Sequence, residues 1–210
     1  MLGPRTILVL RFSSIGDIVH TTSVIGTLKR YFPQSKIDFM TLSKFAPLLE
    51  GHPFINKVHA VDINAGYSQL RQTGFEMEMM EYDLAIDLHN TTRSQVIRWG
   101  LITTNHVHIK KPRWNRFKLF ALHQNDFPND FTVRTWLHEP IQHLLPENFT
   151  IGQSRLFVSE AEKSGINKLL TRDGLNGKYF VVTPGAAWAQ KRWKAERYAR
   201  VIDQCASQLN

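Results

Sequence analysis

The fold class is decided by residues 7–33, ILVLRFSSIGDIVHTTSVIGTLKRYFP, in which a short apolar run leads through a polar loop into an amphipathic segment. Residues 6–10 predict a buried strand. Residues 18–31 carry apolar side chains at helical spacing and are followed by Pro33, which predicts a helix that ends there. A buried strand, a loop and a helix form the repeating unit of a parallel sheet covered by helices.

The same alternation continues along the chain. Further strands are predicted over residues 36–41, 57–61, 84–87 and 107–109. Helices are predicted over residues 45–50, 67–82, 94–101 and 132–145, with a long loop or short helix over 110–131. After a linker at 146–159, the pattern predicts a helix at 160–170, a strand at 179–183 and a helix at 195–209.

We therefore expect an α/β protein. Residues 1–150 are predicted to form a Rossmann-like domain, a parallel sheet with flanking helices. Residues 151–210 are predicted to begin a second α/β domain that is truncated, because one strand–helix unit cannot bury both faces of its parallel strand.

The composition, 42% hydrophobic and 21% charged, is that of a folded globular protein. The single cysteine, Cys205, excludes an intramolecular disulfide and a cysteine-based zinc cluster. The histidines show no ligand spacing tied to carboxylates, so we expect no bound metal. The apolar run near the N-terminus is too short for a signal peptide or a membrane span, which predicts a cytoplasmic protein.

The net charge of +8 predicts anionic partners, and phosphorylated glycolipid, nucleotide and nucleic acid all qualify. Part of this charge is concentrated within nine positions, at Lys110, Lys111, Arg113, Arg116 and Lys118. This basic segment either binds an anion or is a solvated surface loop. The sequence alone leaves both interpretations open.

Two loops lie at the carboxyl ends of predicted strands, where open parallel sheets bind their ligands. The first, residues 11–17, offers hydroxyls and backbone amides at a helix start, with Asp17 as its only acidic residue. Asp17 is either the N-cap of the helix or a general base. The second loop, residues 184–193, combines small residues, which let the backbone approach a ligand, with Lys191 and Arg192, which can neutralise phosphate. Neither loop is a GxGxxG or Walker A sequence.

These two loops resemble those of one known family. Residues 7–33 are similar to the opening of glycosyltransferase family nine, the heptosyltransferases, whose first strand runs into an S-S-x-G-D-x-x-H loop. Residues 183–203, TPGAAWAQKRWKAERYARVID, are similar to that family's P-G-A-x-x-x-x-K-R/H-W-P-x-E-x-(Y/W) segment. Two motifs in the right order, each behind a predicted strand, make the resemblance specific.

The resemblance implies half of a glycosyltransferase B fold, with the acceptor on the N-terminal domain and the ADP-sugar on the C-terminal one. It implies an inverting transfer of heptose from ADP-heptose to the lipopolysaccharide inner core, without metal or cofactor. The acceptor would be an anionic glycolipid of the Kdo–lipid A type or a heptosylated form of it, and peripheral contact with the inner membrane would follow. Asp17 matches the general base of the family, and Lys191 matches the lysine that stabilises the leaving diphosphate.

The remaining site residues are assigned to the two substrates. The residues expected to bind the acceptor are Arg11, Ser13, Ser14, Gly16, Asp87, Asn90, Lys110, Lys111 and Arg113. The residues expected to bind the donor are Gly185, Ala186, Ala187, Lys191 and Arg192. His89 and Thr91 share the strand end of Asp87 and Asn90, and this group is given a weaker acceptor role.

The sequence departs from the family pattern in three places. Lys194 stands where a proline is usual, and Ala186 and Ala187 replace hydroxyl residues of some members. The D-[ST]-G-x-x-H segment, which binds the ADP part of the donor in the family, does not occur. We therefore expect the 210-residue chain by itself to have negligible transferase activity.

Two alternatives remain at this point. One is a family-nine glycosyltransferase that uses another sugar or acceptor. The other, from a different class, is a basic nucleic-acid-binding module, which the charge and the placement of Trp114 and Phe117 among basic residues favour. The transferase interpretation expects no nucleic-acid partner.

Overall fold

The chain forms two compact units, Met1–Phe157 and Val158–Asn210. The structure is a computed structural model that describes residues 3–175, 177–186 and 188–209. The first unit contains a five-stranded sheet, and the second contains helices and loops.

The sheet of the first unit is parallel throughout, which confirms the expected fold class. Its strands are β1 (Thr6–Leu10), β2 (Lys36–Leu42), β3 (Lys57–Val61), β4 (Leu84–Asp87) and β5 (Asn105–His108). Their spatial order is β3-β2-β1-β4-β5. The central strand β1 pairs with β2 and β4, so the loops that follow β1 and β4 emerge side by side at the carboxyl edge.

Each face of the sheet carries its own hydrophobic core. Successive side chains of a strand point to opposite faces, so Ile7 and Val9 enter one core while Leu8 and Leu10 enter the other. All four are fully buried, which explains why β1 is a continuous apolar run.

Helices cover both faces of the sheet. The first unit contains α1 (Ile15–Tyr31), α2 (Tyr67–Glu78), α3 (Thr92–Arg98), α4 (Arg113–Ala121) and α5 (Val133–His138), with 3-10 helices at Ser43–Leu48 and Glu139–Leu144. Side chains of α1 and α5 enter one core, and those of α2 and α3 enter the other. The single helix predicted over 132–145 divides at Pro140, which has no N–H for an α-helical hydrogen bond.

Two glycines allow α2 and α3 to pack closely. A Cβ added at Gly100 would lie 2.6 Å from the backbone carbon of Gly74, and one added at Gly74 would overlap the carbonyl oxygen of Ile97. No side chain fits between the two backbones at this point.

The second unit contains α6 (Glu160–Arg172) and α7 (Ala195–Leu209), with a 3-10 helix at Ala189–Lys191. The strand predicted over 179–183 does not form, and the described residues of this unit contain no strand. A parallel strand needs neighbours for its backbone hydrogen bonds, and this unit supplies none. Among the described residues of the whole chain, no helix is long and apolar enough to cross a bilayer.

Candidate active site

Asp17 lies in the first turn of α1, at the carboxyl edge of the sheet. Ser14 is the N-cap of this helix, so Asp17 occupies the third helical position instead of the cap position considered from the sequence. The Asp17 carboxylate accepts hydrogen bonds from the Ser14 backbone N–H and the Ser14 hydroxyl, both at 3.1 Å. This arrangement is one half of a capping box, and it fixes the carboxylate over the loop that follows β1.

The guanidinium of Arg11 pairs with the same carboxylate oxygen. Arg11 Nη2 lies 2.6 Å from Asp17 Oδ2, and Nη1 donates to the carbonyl oxygen of Leu88 at the end of β4. The Arg11 side chain is almost fully buried, while 37% of the Asp17 side chain is exposed. Arg11 therefore ties together the two loops, and Asp17 remains open to a ligand.

These contacts set the protonation of Asp17. Burial by itself raises the pKa of the carboxyl, but the charge of Arg11 and the hydrogen bonds from Ser14 and Arg11 outweigh burial, so the pKa of Asp17 lies below its ordinary value. Asp17 is therefore ionised at neutral pH and ready to accept a proton.

Asp17 opens into a cavity of about 290 Å³ within the first unit. The cavity is lined by residues of the first loop, of the end of β4, of the basic segment and of α5: Arg11, Ser13, Ser14, Asp17, His89, Lys111, Arg116 and Trp136. Three lining residues are cationic and one is a carboxylate, so the lining carries an excess of positive charge. Such a pocket suits a small anionic group next to a base.

The positively charged side chains of the cavity repel one another. Burial lowers the pKa of Lys111, and the nearby charges of Arg11, Arg113 and Arg116 lower it further. Burial also lowers the pKa of His89 to about 4, again with help from Arg11 and Lys111, so this imidazole is neutral at pH 7. A bound anion would offset the repulsion among these groups.

The structure does not support the expected acceptor contact of Asp87, whose side chain has no exposed surface. Its Oδ1 accepts the backbone N–H groups of His89 and Asn90, at 2.9 and 2.7 Å. Its Oδ2 lies 3.1 Å from Arg98 Nε, close enough for an ion pair although the two atoms are not aligned for a hydrogen bond. Asp87 therefore holds the turn after β4, and a ligand cannot reach it.

Other predicted acceptor residues lie near the cavity without lining it. The Asn90 amide donates to the carbonyl oxygen of Ile109 and accepts from Gln95, so both of its ends are engaged. Gly16, Lys110 and Arg113 are exposed at the surface of the first unit. Of the nine acceptor residues predicted, the structure brings Arg11, Ser13, Ser14 and Lys111 together around Asp17.

The predicted donor residues lie in the second unit. In an irregular segment, Gly185 is exposed and Ala186 is half-buried. The carbonyl oxygen of Ala186 accepts a hydrogen bond from Arg192 Nε at 2.9 Å. Lys191 is exposed at the end of a 3-10 helix. Ala187 lies outside the described residues.

Sequence reasoning gave no site role to two residues that line the cavity. Arg116 belonged to the basic segment, and its helical position three residues after Arg113 was the available signal. No sequence feature pointed to Trp136, because only the packing of the folded chain brings its indole to the cavity. There Nε1 donates to the carbonyl oxygen of Lys110 at 2.8 Å. His89 was grouped with Asp87 from the sequence, but in the structure His89 lines the cavity and Asp87 does not.

Comparison with known proteins places the chain in a family. The sequence model of "Glycosyltransferase family 9 (heptosyltransferase)" matches residues 71–208, more than half of the chain. The chain belongs to glycosyltransferase family 9. This match includes residues 183–203 and confirms the resemblance to the family.

Individual members of family 9 are similar over nearly the whole chain. The lipooligosaccharide heptosyltransferase 2 of Haemophilus ducreyi is 35% identical, with 94% of this chain and 59% of the relative covered. A solved family 9 glycosyl transferase from Veillonella parvula has a TM-score of 0.79 at 20% identity, covering 97% of this chain and 60% of that protein. The ADP-heptose lipopolysaccharide heptosyltransferase II of Escherichia coli has a TM-score of 0.66 at 22% identity, covering 97% and 62%. The two structures show the fold, and the chain spans less than two thirds of each of these proteins.

Proposed function

We propose that this family 9 chain is the acceptor-binding part of a heptosyltransferase, one that transfers heptose from ADP-heptose to an anionic acceptor of the lipopolysaccharide inner core. The observation that carries the proposal is the pairing of an ionised, exposed carboxylate, Asp17, with a small cationic cavity. The donor is inferred from the similar ADP-heptose lipopolysaccharide heptosyltransferase II of E. coli. The Kdo–lipid A type of acceptor is inferred from the charge of the cavity and from the family.

The proposed chemistry is a displacement at the anomeric carbon of the donor. The acceptor hydroxyl gives its proton to Asp17 while its oxygen forms the new bond to the anomeric carbon. The bond from that carbon to the diphosphate breaks, and ADP leaves with the bonding electrons. Attack opposite the leaving group inverts the configuration. Lys191 and Arg192, in the second unit, are proposed to stabilise the charge of the diphosphate.

The low pKa of Asp17 is compatible with this role. A hydroxyl is a weak acid, but its proton becomes acidic as the oxygen begins to bond to carbon, so even a weakly basic carboxylate can accept it at that moment. The Arg11 guanidinium would stabilise the carboxylate before transfer and would orient it toward the cavity. We further propose that the protein works in the cytoplasm, in peripheral contact with the inner membrane.

Binding of the acceptor headgroup tests the cavity directly. We expect a deacylated, Kdo-containing core acceptor to bind the chain in a calorimetric titration, and Lys111→Ala or Arg116→Ala to weaken binding about tenfold, the loss of one charge-assisted hydrogen bond. Lys168→Ala, an exposed lysine of α6, is the control with the same change in net charge. Equal weakening by Lys168→Ala would reduce the binding to non-specific charge and would contradict the proposal.

A further inference from the structure

Helix α4 is amphipathic, but its apolar side chains face solvent. None of its nine residues, RWNRFKLFA, is buried. Trp114 is 63% exposed, Phe117 is half exposed and Phe120 is 78% exposed. The rings of Trp114 and Phe117 are stacked, with centroids 5.3 Å apart and an interplanar angle of 17°. A monomeric globular protein rarely leaves three neighbouring aromatic side chains in water without a partner.

The aromatic side chains occupy one arc of the helix, and basic side chains surround them. At 100° per residue, Trp114, Phe117, Phe120 and Ala121 lie within about a third of the circumference. Arg116 and Lys118 flank this arc on its two sides, and Arg113 lies at its N-terminal end. Residues 110–122 contain five basic residues and no acidic residue.

Side-chain contacts link the helix to neighbouring segments of the first unit. The Trp136 indole N–H binds the carbonyl oxygen of Lys110, and Arg116 lies over the Trp136 ring at 5.8 Å. At the other end, Lys118 Nζ lies 2.5 Å from Asp126 Oδ2, and the Asn115 amide donates to the Asp126 carbonyl oxygen at 3.2 Å. The aromatic arc faces solvent beside these contacts.

We propose that α4 is an interfacial helix that docks the protein on a bilayer containing anionic phospholipid. The arc of Trp114, Phe117 and Phe120 enters the boundary between headgroups and acyl chains, where aromatic rings bind well. Arg113 and Arg116 bind the lipid phosphates beside it, and Lys118 is paired with Asp126. The basic residues on both flanks and at the N-terminal end of the arc favour a lipid surface, because an apolar protein partner would not need this basic border.

Docking through α4 has a consequence for the cavity, and this step rests on the proposed function. Arg116 belongs both to α4 and to the cavity lining, so the helix that meets the membrane also forms a wall of the site. A lipid-anchored acceptor would present its sugar headgroup just above the phosphates, where the cavity then lies. The protein would collect its acceptor from the membrane surface.

Vesicle binding tests the docking surface. We expect the chain to co-sediment with vesicles of phosphatidylethanolamine and phosphatidylglycerol, and to bind vesicles of phosphatidylcholine at least ~10-fold more weakly because the basic residues find no net negative charge there. Trp114→Ser with Phe120→Ser should lower the partition coefficient for anionic vesicles roughly tenfold or more. Brominated lipid should quench the tryptophan emission of the wild type more strongly than that of Trp114→Phe.

A matched control separates this surface from general apolar exposure. Trp99 and Ile102 are 67% and 73% exposed, close to the values for Trp114 and Phe120, but they lie outside α4 and its basic border. Trp99→Ser with Ile102→Ser should change vesicle binding less than twofold. Equal effects of the two double variants, or no binding to anionic vesicles, would overturn the proposal.

Two other occupants of the surface have distinct outcomes. If sedimentation equilibrium without lipid shows a dimer that Trp114→Ser with Phe120→Ser dissociates, the surface is an interface between two copies and the proposal is wrong. If single-stranded RNA binds through Trp114 while vesicles do not bind, the surface is a nucleic-acid site and the proposal is wrong.

Asp17→Asn should leave vesicle binding unchanged, so a failure of the proposed transferase chemistry would not be mistaken for a failure of docking.

Discussion

At the residue scale, the site depends on two contacts of a single arginine side chain. Arg11 lies at the end of β1, donates to the carbonyl oxygen of Leu88 at the end of β4, and pairs with Asp17. Burial fixes the guanidinium, and its charge keeps the carboxylate ionised. A carboxylate held in this way would keep its position during the proposed proton transfer, as a preorganised general base requires.

His89 gives a pH-dependent prediction at the same scale. Its pKa of about 4 in the folded chain lies below the ordinary value of 6.5, so between these pH values the unfolded chain binds a proton that the folded chain does not. The free energy of unfolding therefore falls as the pH is lowered from about 6.5 toward 4. Urea denaturation at pH 7.5 and pH 5 should show a smaller loss of stability for His89→Gln than for the wild type.

The same experiment contains its own control. His143 is exposed in the 3-10 helix after α5, and His143→Gln should leave the pH dependence of the wild type unchanged. Some dependence will remain in His89→Gln, because burial also lowers the pKa of His52 and of His138. An identical loss of stability in His89→Gln and the wild type would show that His89 is not held neutral in the cavity.

The residue scale also shows where sequence reasoning stops. Asp17 lies after β1 and Asp87 ends β4, both at the carboxyl edge of the sheet, and from sequence both were assigned to the site. Asp17 is open to the cavity, whereas Asp87 has no exposed surface and holds backbone N–H groups of its own turn. A carboxylate at a strand end satisfies the backbone or meets a ligand according to how the next two or three residues turn, and spacing does not reveal that.

At the element scale, the most reliable predictions concern strands buried on both faces. The bounds of β1 and β4 agree with the sequence prediction, because a short apolar run between turn residues has few alternatives. The bounds of the edge strand β3 agree as well, although β3 is largely exposed or half-buried. The start of α1 was placed three residues late, since the capping box of Ser14 and Asp17 begins the helix before its first buried apolar residue, Ile18. The strand predicted over 179–183 failed because it has no partner strand, which local pattern does not record.

The contact between α2 and α3 predicts the effect of one methyl group. Gly74→Ala places a Cβ against the carbonyl oxygen of Ile97, and the overlap should cost more than the helix propensity gained, for a net loss of about 1–2 kcal/mol in the free energy of unfolding. Gly16→Ala is the matched control, because Gly16 lies in α1 with no atom within 4 Å of the added Cβ. Urea denaturation measures both. A Gly74→Ala protein as stable as the wild type would contradict the close packing described for the two helices.

At the scale of the whole molecule, parallel topology assembles the site from distant segments. The cavity joins the loop after β1, the end of β4, the basic segment after β5 and α5, which together span residues 11 to 136. The carboxyl ends of parallel strands meet at one edge of the sheet, where ligands bind, and in this way the loop of Asp17 could be predicted from sequence. Trp136 could not, because its position depends on how α5 packs against α1.

The end of the first unit gives a prediction at this scale. Both hydrophobic cores consist of residues before position 146, but two backbone groups beyond residue 150 also bind α1: the N–H of Gly152 donates to Thr27 and the N–H of Arg155 donates to Thr22. A protein that ends at residue 157 should therefore unfold cooperatively, with a midpoint within a few degrees of that of the full chain.

A protein that ends at residue 150, the boundary predicted from sequence, is the informative comparison. It loses both hydrogen bonds, of which the one between Gly152 and Thr27 is buried, and should be less stable by about 1–3 kcal/mol. Thermal unfolding followed by circular dichroism measures all three proteins. Equal midpoints for the two shortened proteins would show that the folded unit ends at residue 150.

The central claim is that Asp17 is the base that accepts the proton of the acceptor hydroxyl. The most direct measurement is the rate of heptose transfer from ADP-heptose by a protein in which this chain is followed by the part of the H. ducreyi relative that it does not cover, compared with its Asp17→Asn variant. The account predicts a kcat lower by about 10²- to 10⁴-fold, with acceptor affinity within about threefold because the cationic cavity is intact. A variant that transfers heptose at a kcat close to that of the unmodified protein would contradict it.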